Sequence, residues 1–165
     1  MEIPTWLAEV SRGLERSSIG EAVRTIPYLF PILESLHILG IALLVGSALA
    51  VDLRLLGIGR NVLPVTTVAW YLLPLSHIGF TLVAVTGAAM FSAIAVAVSV
   101  SAAAPWKLGL IIVAGVNIAI FHTGVYRTVD EWDLHSRAPV RAQAAALVSA
   151  LTWTGVIIAG RFLAY

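Results

Sequence analysis

The chain has no cysteine, and this absence excludes disulfides, thiolate zinc sites, cysteine-ligated iron–sulfur clusters and thiol catalysis. Only 12% of its residues are charged. Its Lys and Arg residues are scattered rather than clustered, which excludes a nucleic-acid interface. It has two methionines, which form no Met-x-x-Met pair, so the chain has few thioether ligands for a copper-ion path. Nor does it contain a phosphate-binding loop, a zinc-hydrolase spacing or a nucleophile–base set, so we expect no independent catalytic activity.

Apolar residues make up most of the chain. They account for 59% of it, and the mean hydropathy is +0.95, which is typical of a membrane protein. A helix needs about 20 apolar residues to cross a bilayer. Short polar links separate the stretches that satisfy this requirement, so sequential helices should run antiparallel. We therefore predict an all-α polytopic membrane protein, an up-down bundle of four transmembrane helices at about residues 31–51, 70–93, 106–126 and 144–165.

The segment 1–27 precedes this transmembrane domain, which we assign to residues 28–165. It has neither a basic start nor a continuous apolar run, so we do not expect a cleavable signal peptide. Apolar residues recur at helical spacing between charged ones, which is typical of a short amphipathic helix in the membrane interface. An ordinary polar tail is the alternative. The apolar positions are Trp6, Leu7, Val10 and Leu14.

Four crossings place both termini on one side, which we name side A, and the opposite side is side B. Each side carries half of the ten Lys and Arg residues. Arg161 falls within the last predicted span, so the balance in the loops tips toward side B as the cytoplasmic side. We therefore expect both termini in the periplasm. Side A has Arg12, Arg16, Arg24, Lys107 and Arg161, whereas side B has Arg54, Arg60, Arg127, Arg137 and Arg141.

Ionisable residues lie near both ends of the first predicted span. Glu34 and Asp52 are about five helical turns apart and share one face, which should point into the bundle because charge facing lipid is costly. We predict a buried polar pair between Glu34 and Arg161. Asp52 could pair with Arg54 or with Arg127. Alternatively, these groups only fasten the helix ends at the membrane boundary.

The histidines differ in predicted depth. A rise of about 1.5 Å per residue places His77 and His122 at one level in the side-B half, and His37 in the side-A half. His135 falls in a polar loop. Two imidazoles at one depth on facing helices suit the axial ligation of haem b, so we predict His77 and His122 as iron ligands. The residues predicted to continue the two histidine faces are Thr81, Ala84 and Ala88, and Gly115, Ile118 and Tyr126.

Two other roles for the same side chains stay open. Buried histidines also serve as hydrogen-bond partners between helices, in which case the protein is a non-catalytic assembly or interaction subunit. A ladder of polar groups could instead carry protons or metal ions through the bundle. That ladder would consist of Glu34, His37, Asn117, His77 and His122.

The segments FPILESLHILGIALLVGSALAVDLRLLG, PWKLGLIIVAGVNIAIFHTGVYRTVDEWD and WTGVIIAGRFLAY resemble a family of small proteins of the bacterial inner membrane that is catalogued as a domain of unknown function. The resemblance covers nearly the whole chain and implies a four-helix membrane protein, with His37 and His122 belonging to the family pattern. It also implies that relatives have tryptophan where this chain has His77, so this chain departs from the family pattern at that position. His37 is therefore a further candidate haem ligand. A looser likeness to copper-resistance membrane proteins and b-type cytochromes concerns architecture alone.

These observations predict a b-haem-binding electron-transfer protein, or a small membrane subunit of a redox complex. The expected partners are the lipid bilayer and other membrane or redox subunits, and no nucleic acid.

Overall fold

The computed structural model describes residues 4–163, and within that range the chain forms helices and loops without a strand. Four helices, α3, α4, α6 and α7, are long and apolar enough to cross a membrane. The fold class predicted from the sequence is thereby confirmed, and the chain is a multi-pass membrane protein. The helices are α1 (Thr5–Glu15), α2 (Ser18–Thr25), α3 (Leu29–Leu55), α4 (Val65–Ala93), α5 (Ala95–Val100), α6 (Ala103–Thr123) and α7 (Val140–Phe162), with a 3₁₀ helix at Val125–Glu131.

The spanning helices pack as two pairs. α3 lies along α4, α6 lies along α7, and the pairs meet where α3 contacts α7. Gly40 and Gly79 bring α3 and α4 together, since a Cβ atom on Gly79 would lie 2.5 Å from the Leu44 nitrogen. Small residues allow such approach where lipid provides no hydrophobic drive for association. Within the described residues, α4 and α6 form no comparable contact, which leaves a seam between them.

The N-terminal segment packs at side A against α3, α4 and α5. This segment forms two helices, where the sequence predicted one, because the Ser17 hydroxyl accepts a hydrogen bond from Gly20 N (3.2 Å) and begins α2. Glu15 Oε1 accepts from Val96 N at the start of α5 (2.9 Å), and Arg24 donates to Ala93 O at the end of α4 (3.2 Å). The two helices therefore hold the α4–α5 junction.

The outer face of α1 is apolar. Trp6, Val10 and Leu14 are exposed along one side of α1, whereas Ser11 on the opposite side is buried. Apolar side chains turned away from the protein suit a helix that lies in the membrane interface. The interfacial position of this segment stays a prediction that its exposed face supports.

Side B is held together by Arg54 and Asp133. The Arg54 guanidinium is buried and donates to the carbonyl oxygens of Leu63 and Asp133, the latter at 2.7 Å. The Asp133 carboxylate accepts from Thr66 N and from the Thr66 hydroxyl, both at 2.8 Å, and so caps the start of α4. The loop before α7 is thereby fixed against the loop before α4.

Candidate functional site

A cavity of about 370 Å³ lies between α3, α4, α6 and α7 in the half of the bundle toward side B. Its walls are mostly apolar. His77 and Phe80 of α4, and Gly115 and Ile118 of α6, are exposed residues that line it, so it opens sideways along the α4–α6 seam. The polar side chains that line it are those of Asp52, Ser76, His77, Asn117, His122, Tyr126 and Ser149.

His122 lines this cavity with its ring orientation fixed. Its Nδ1 atom lies 3.0 Å from the Ile118 carbonyl oxygen, one turn earlier on α6. A carbonyl only accepts, so Nδ1 carries the proton and the lone pair is on Nε2. The ring also packs against Phe121 and Tyr126, with centroid distances of 5.3 Å to each. Metal-ligating histidines commonly have this tautomer, with the remote N–H bound to a backbone carbonyl.

His77 lines the same cavity from α4, and His37 does not. The two histidines that the sequence places at one depth therefore border one space. Within the described residues, no hydrogen bond holds the His77 imidazole, so neither ring nitrogen is engaged by the protein. Ser76 and Phe80 line the cavity with His77, whereas Thr81, Ala84 and Ala88 do not, because they lie on later turns of α4, further toward side A. Gly115, Ile118 and Tyr126 line the cavity with His122 as predicted.

Asp52 lies at the α3 wall of the cavity and is 6% exposed. Ser149 of α7 hydrogen-bonds to its carboxyl group, whereas the Oδ2 atom has no hydrogen-bond partner within the described residues. The sequence suggested Arg54 or Arg127 as the partner of Asp52. The structure gives it Ser149 instead, because the buried Arg54 guanidinium is directed at the side-B loops.

Tyr126 follows the end of α6 and closes the side-B end of the cavity. Its ring centroid lies 5.4 Å from that of Phe121. Burial raises the pKa of the Tyr126 phenol, and the carboxylates of Asp133 and Asp130 raise it further. The phenol is therefore neutral at physiological pH and can donate a hydrogen bond into the cavity.

His37 occupies a separate, tighter place between α3 and α4. The Thr86 hydroxyl donates to Leu82 O (2.6 Å), so it accepts from His37 Nδ1 at 2.9 Å. Gly87 leaves room for the ring, because a Cβ atom there would lie 3.0 Å from His37 Cε1. A packed cluster at intermediate depth separates this histidine from the cavity. It consists of Leu44, Val45, Ala114 and Trp153.

Glu34 and Arg161, which the sequence predicts as a buried polar pair, are both exposed. The predicted burial is therefore wrong, whereas the pairing of Glu34 with Arg161 stays a prediction. The face that begins at Glu34 turns inward only from His37 onward, where α3 packs on α4, and it ends at the buried Asp52. Near its start, α3 has fewer neighbours to cover it, so Glu34 lies at the periphery.

Comparison with known proteins places these residues in a family. Residues 14–165 match the model of a family that is described as Family of unknown function (DUF6644). The chain belongs to this family. The match includes α2 to α7, so the cavity and its histidines lie within the family's domain. The resemblance to a domain of unknown function is thereby confirmed. No curated protein and no solved structure matches the chain.

Proposed function

We propose that the four-helix cavity holds haem b and that the protein transfers electrons, alone or as a small membrane subunit of a redox complex. The observation that carries this proposal is that His77 of α4 and His122 of α6 line one cavity. Imidazoles from facing helices are suited to bind the two axial positions of a haem iron. The location we propose is the bacterial inner membrane, with both termini in the periplasm.

The state of His122 supports ligation. Its Nδ1 proton is held by Ile118 O, so Nε2 offers a lone pair without rearrangement. His77 has no competing hydrogen bond within the described residues and lies at the opening of the cavity. One ligand is therefore preorganised, and the other is free to adjust.

The cavity walls also suit a macrocycle. A ligand pocket typically measures about 300–1,000 Å³ and is mainly apolar, and this cavity of about 370 Å³ falls within that range. Aromatic side chains provide flat surfaces around it. A haem held by His77 and His122 would supply electron transfer rather than reactions of bound substrates. The aromatic lining residues are Phe80, Phe121, Tyr126 and Trp153.

Absorption spectroscopy tests the proposal. The full chain, purified after expression with haem supply or mixed with haemin, is expected to show a Soret band and, when reduced, the α band of a six-coordinate b-type haem. We expect His122→Ala and His77→Ala each to abolish the six-coordinate spectrum. His135→Ala is the matched control, because His135 is exposed and lies outside the cavity.

The outcomes separate the alternatives. Loss of the spectrum in His37→Ala with retention in His77→Ala would replace the ligand pair by His37 and His122. Absence of a haem spectrum and of iron in the wild-type protein, with lower thermal stability of His122→Ala, would favour an assembly subunit in which the histidines are structural.

A proton or metal-ion path is the second candidate function, and Asp52 favours it. Burying a carboxyl group with an unpartnered oxygen inside a membrane costs free energy, so such a group is a candidate functional residue. The cluster around Leu44 and Trp153 lies between this group and His37, which weakens the case for a continuous path. Vesicles reconstituted with the chain should show a flux that Asp52→Asn abolishes and Glu34→Gln does not. Equal flux in empty vesicles would exclude this function.

A further inference from the structure

A second cavity, of about 270 Å³, lies on side B between the end of α3 and the start of α7. Leu55 and Leu56, at the end of α3, form one wall, and Ala138, just before α7, and Gln143 of α7 form the other. Leu55 is the single described residue that lines both cavities, so this space is distinct from the site of the histidines. The proposed haem has no part in the argument that follows.

Two guanidinium groups line this cavity, those of Arg60 and Arg137. Arg60 is half-buried and Arg137 is exposed. Within residues 4–163, no carboxylate forms an ion pair with either of them. The cavity therefore has positive charge that the described part of the protein does not neutralise.

Backbone contacts fix the two arginines relative to each other. His135 N donates to Arg60 O (3.0 Å), which ties the loop after α3 to the loop before α7. The side-chain amide of Gln143 donates to Ala138 O (2.7 Å) and braces the other wall. Gly57, with a φ of 108°, makes the turn that brings Arg60 back over the end of α3. The cavity is thus built by the fold and is not a chance meeting of surface side chains.

The chemistry of the cavity suits a phosphate group, because guanidinium forks match phosphate oxygens and donate paired hydrogen bonds to them. The position of the cavity favours a lipid. It lies where two membrane-spanning helices end, and the adjoining loop exposes the apolar side chains of Ile58, Val62 and Leu63. Basic pockets between the ends of transmembrane helices commonly bind the headgroups of anionic lipids.

We infer that Arg60 and Arg137 form a binding site for the phosphate of an anionic phospholipid headgroup at the side-B surface. The same chemistry would accept inorganic phosphate, so the test includes both ligands. The site fixes the loops of side B to the membrane surface. The acyl chains of the bound lipid would run along the apolar surface of α3 and α7.

Native mass spectrometry of the full chain in detergent measures the binding. The chain is titrated with phosphatidylglycerol and, separately, with phosphatidylcholine. We expect tighter binding of phosphatidylglycerol, and a loss of about tenfold in its affinity for Arg60→Gln/Arg137→Gln. Arg127→Gln/Arg141→Gln is the matched control, because it removes the same charge from exposed side-B positions outside the cavity. The control should lose less than about threefold.

Three results would overturn the inference: equal affinity for the two lipids, equal losses in the two double variants, or no loss in Arg60→Gln/Arg137→Gln. If the double variant does not fold, as judged by circular dichroism, Arg137→Gln alone replaces it, since Arg137 is exposed. If millimolar inorganic phosphate fails to displace phosphatidylglycerol, the result supports the lipid as the ligand. If inorganic phosphate displaces the lipid from the wild-type chain and this displacement requires Arg60 and Arg137, the same site binds a soluble phosphate.

Discussion

Replacement of Gly79 by alanine tests the packing that positions the cavity. A Cβ atom at Gly79 would lie 2.5 Å from Leu44 N and 2.8 Å from Gly40 O. Both are backbone atoms of α3, so no rotation of a side chain relieves the overlap and the helices must separate. Overpacking of this kind costs about 1–3 kcal/mol, and the absence of a flexible neighbour favours the upper end. Alanine regains about 1 kcal/mol of helix propensity over glycine. We therefore expect a net loss of about 2 kcal/mol in the free energy of unfolding.

Gly46→Ala is the control, because Gly46 is also on α3 and its added Cβ atom would meet nothing within 4 Å. It should leave the free energy of unfolding unchanged or raise it by up to about 1 kcal/mol. Unfolding by sodium dodecyl sulfate in mixed micelles, followed by circular dichroism, measures both variants. Equal stability of Gly79→Ala and Gly46→Ala would refute the close α3–α4 contact.

Two further predictions concern side B. Arg54→Lys retains the charge but loses the guanidinium that donates to the carbonyls of Leu63 and Asp133, so the free energy of unfolding should fall by about 2–3 kcal/mol in the same assay. The control is Arg12→Lys, at an exposed position, which should lower it by less than about 0.5 kcal/mol. Equal effects of the two substitutions would contradict this role of Arg54. The folded-state pKa of Tyr126 lies above the unfolded value of about 10, so its contribution to stability is present below that pH and lost as pH rises through the folded value. Difference absorbance against Tyr126→Phe should show its phenolate forming above pH 10, and formation below pH 10 would disprove the burial.

The four spans are predictable from the sequence because bilayer thickness sets their length. Their ends are less predictable. The first was expected at about residues 31–51, and the helix extends over Leu29–Leu55, since a helix continues beyond the hydrocarbon core wherever its backbone stays hydrogen-bonded. α5 fell within an expected loop, and the 3₁₀ helix began at the expected end of the third span and continued into the next loop. Segments of six and seven residues are too short for a periodic signal.

Depth in the membrane is predictable, whereas rotation about a helix axis is not. The rise per residue is the same for every helix, so counting residues placed His77 and His122 at one level, and both line the cavity. Which face is covered depends on neighbours that lie far apart in sequence. Glu34 was therefore wrongly expected to be buried, and the contact of Asp52 with Ser149 was missed.

Arg54 shows the same limit more clearly. Its partners are backbone carbonyls of two loops, one of them at Asp133, and a sequence carries no pattern for a contact between a side chain and a distant backbone atom. The cavity with Arg60 and Arg137 was missed for the same reason, since it exists only once both loops are placed. Counting charges placed these arginines on side B but did not predict that they line one cavity.

The features on which the two proposals rest are concentrated in one half of the bundle. The large cavity and Asp52 lie toward side B, and the arginine cavity is at its surface. Toward side A, His37 has its Nδ1 atom bound to Thr86, and the cluster around Leu44 separates it from the large cavity. If the cavity holds haem, that redox centre lies in the half of the bundle toward side B. Under the proposed function, electrons therefore enter and leave through partners that approach side B or the α4–α6 seam.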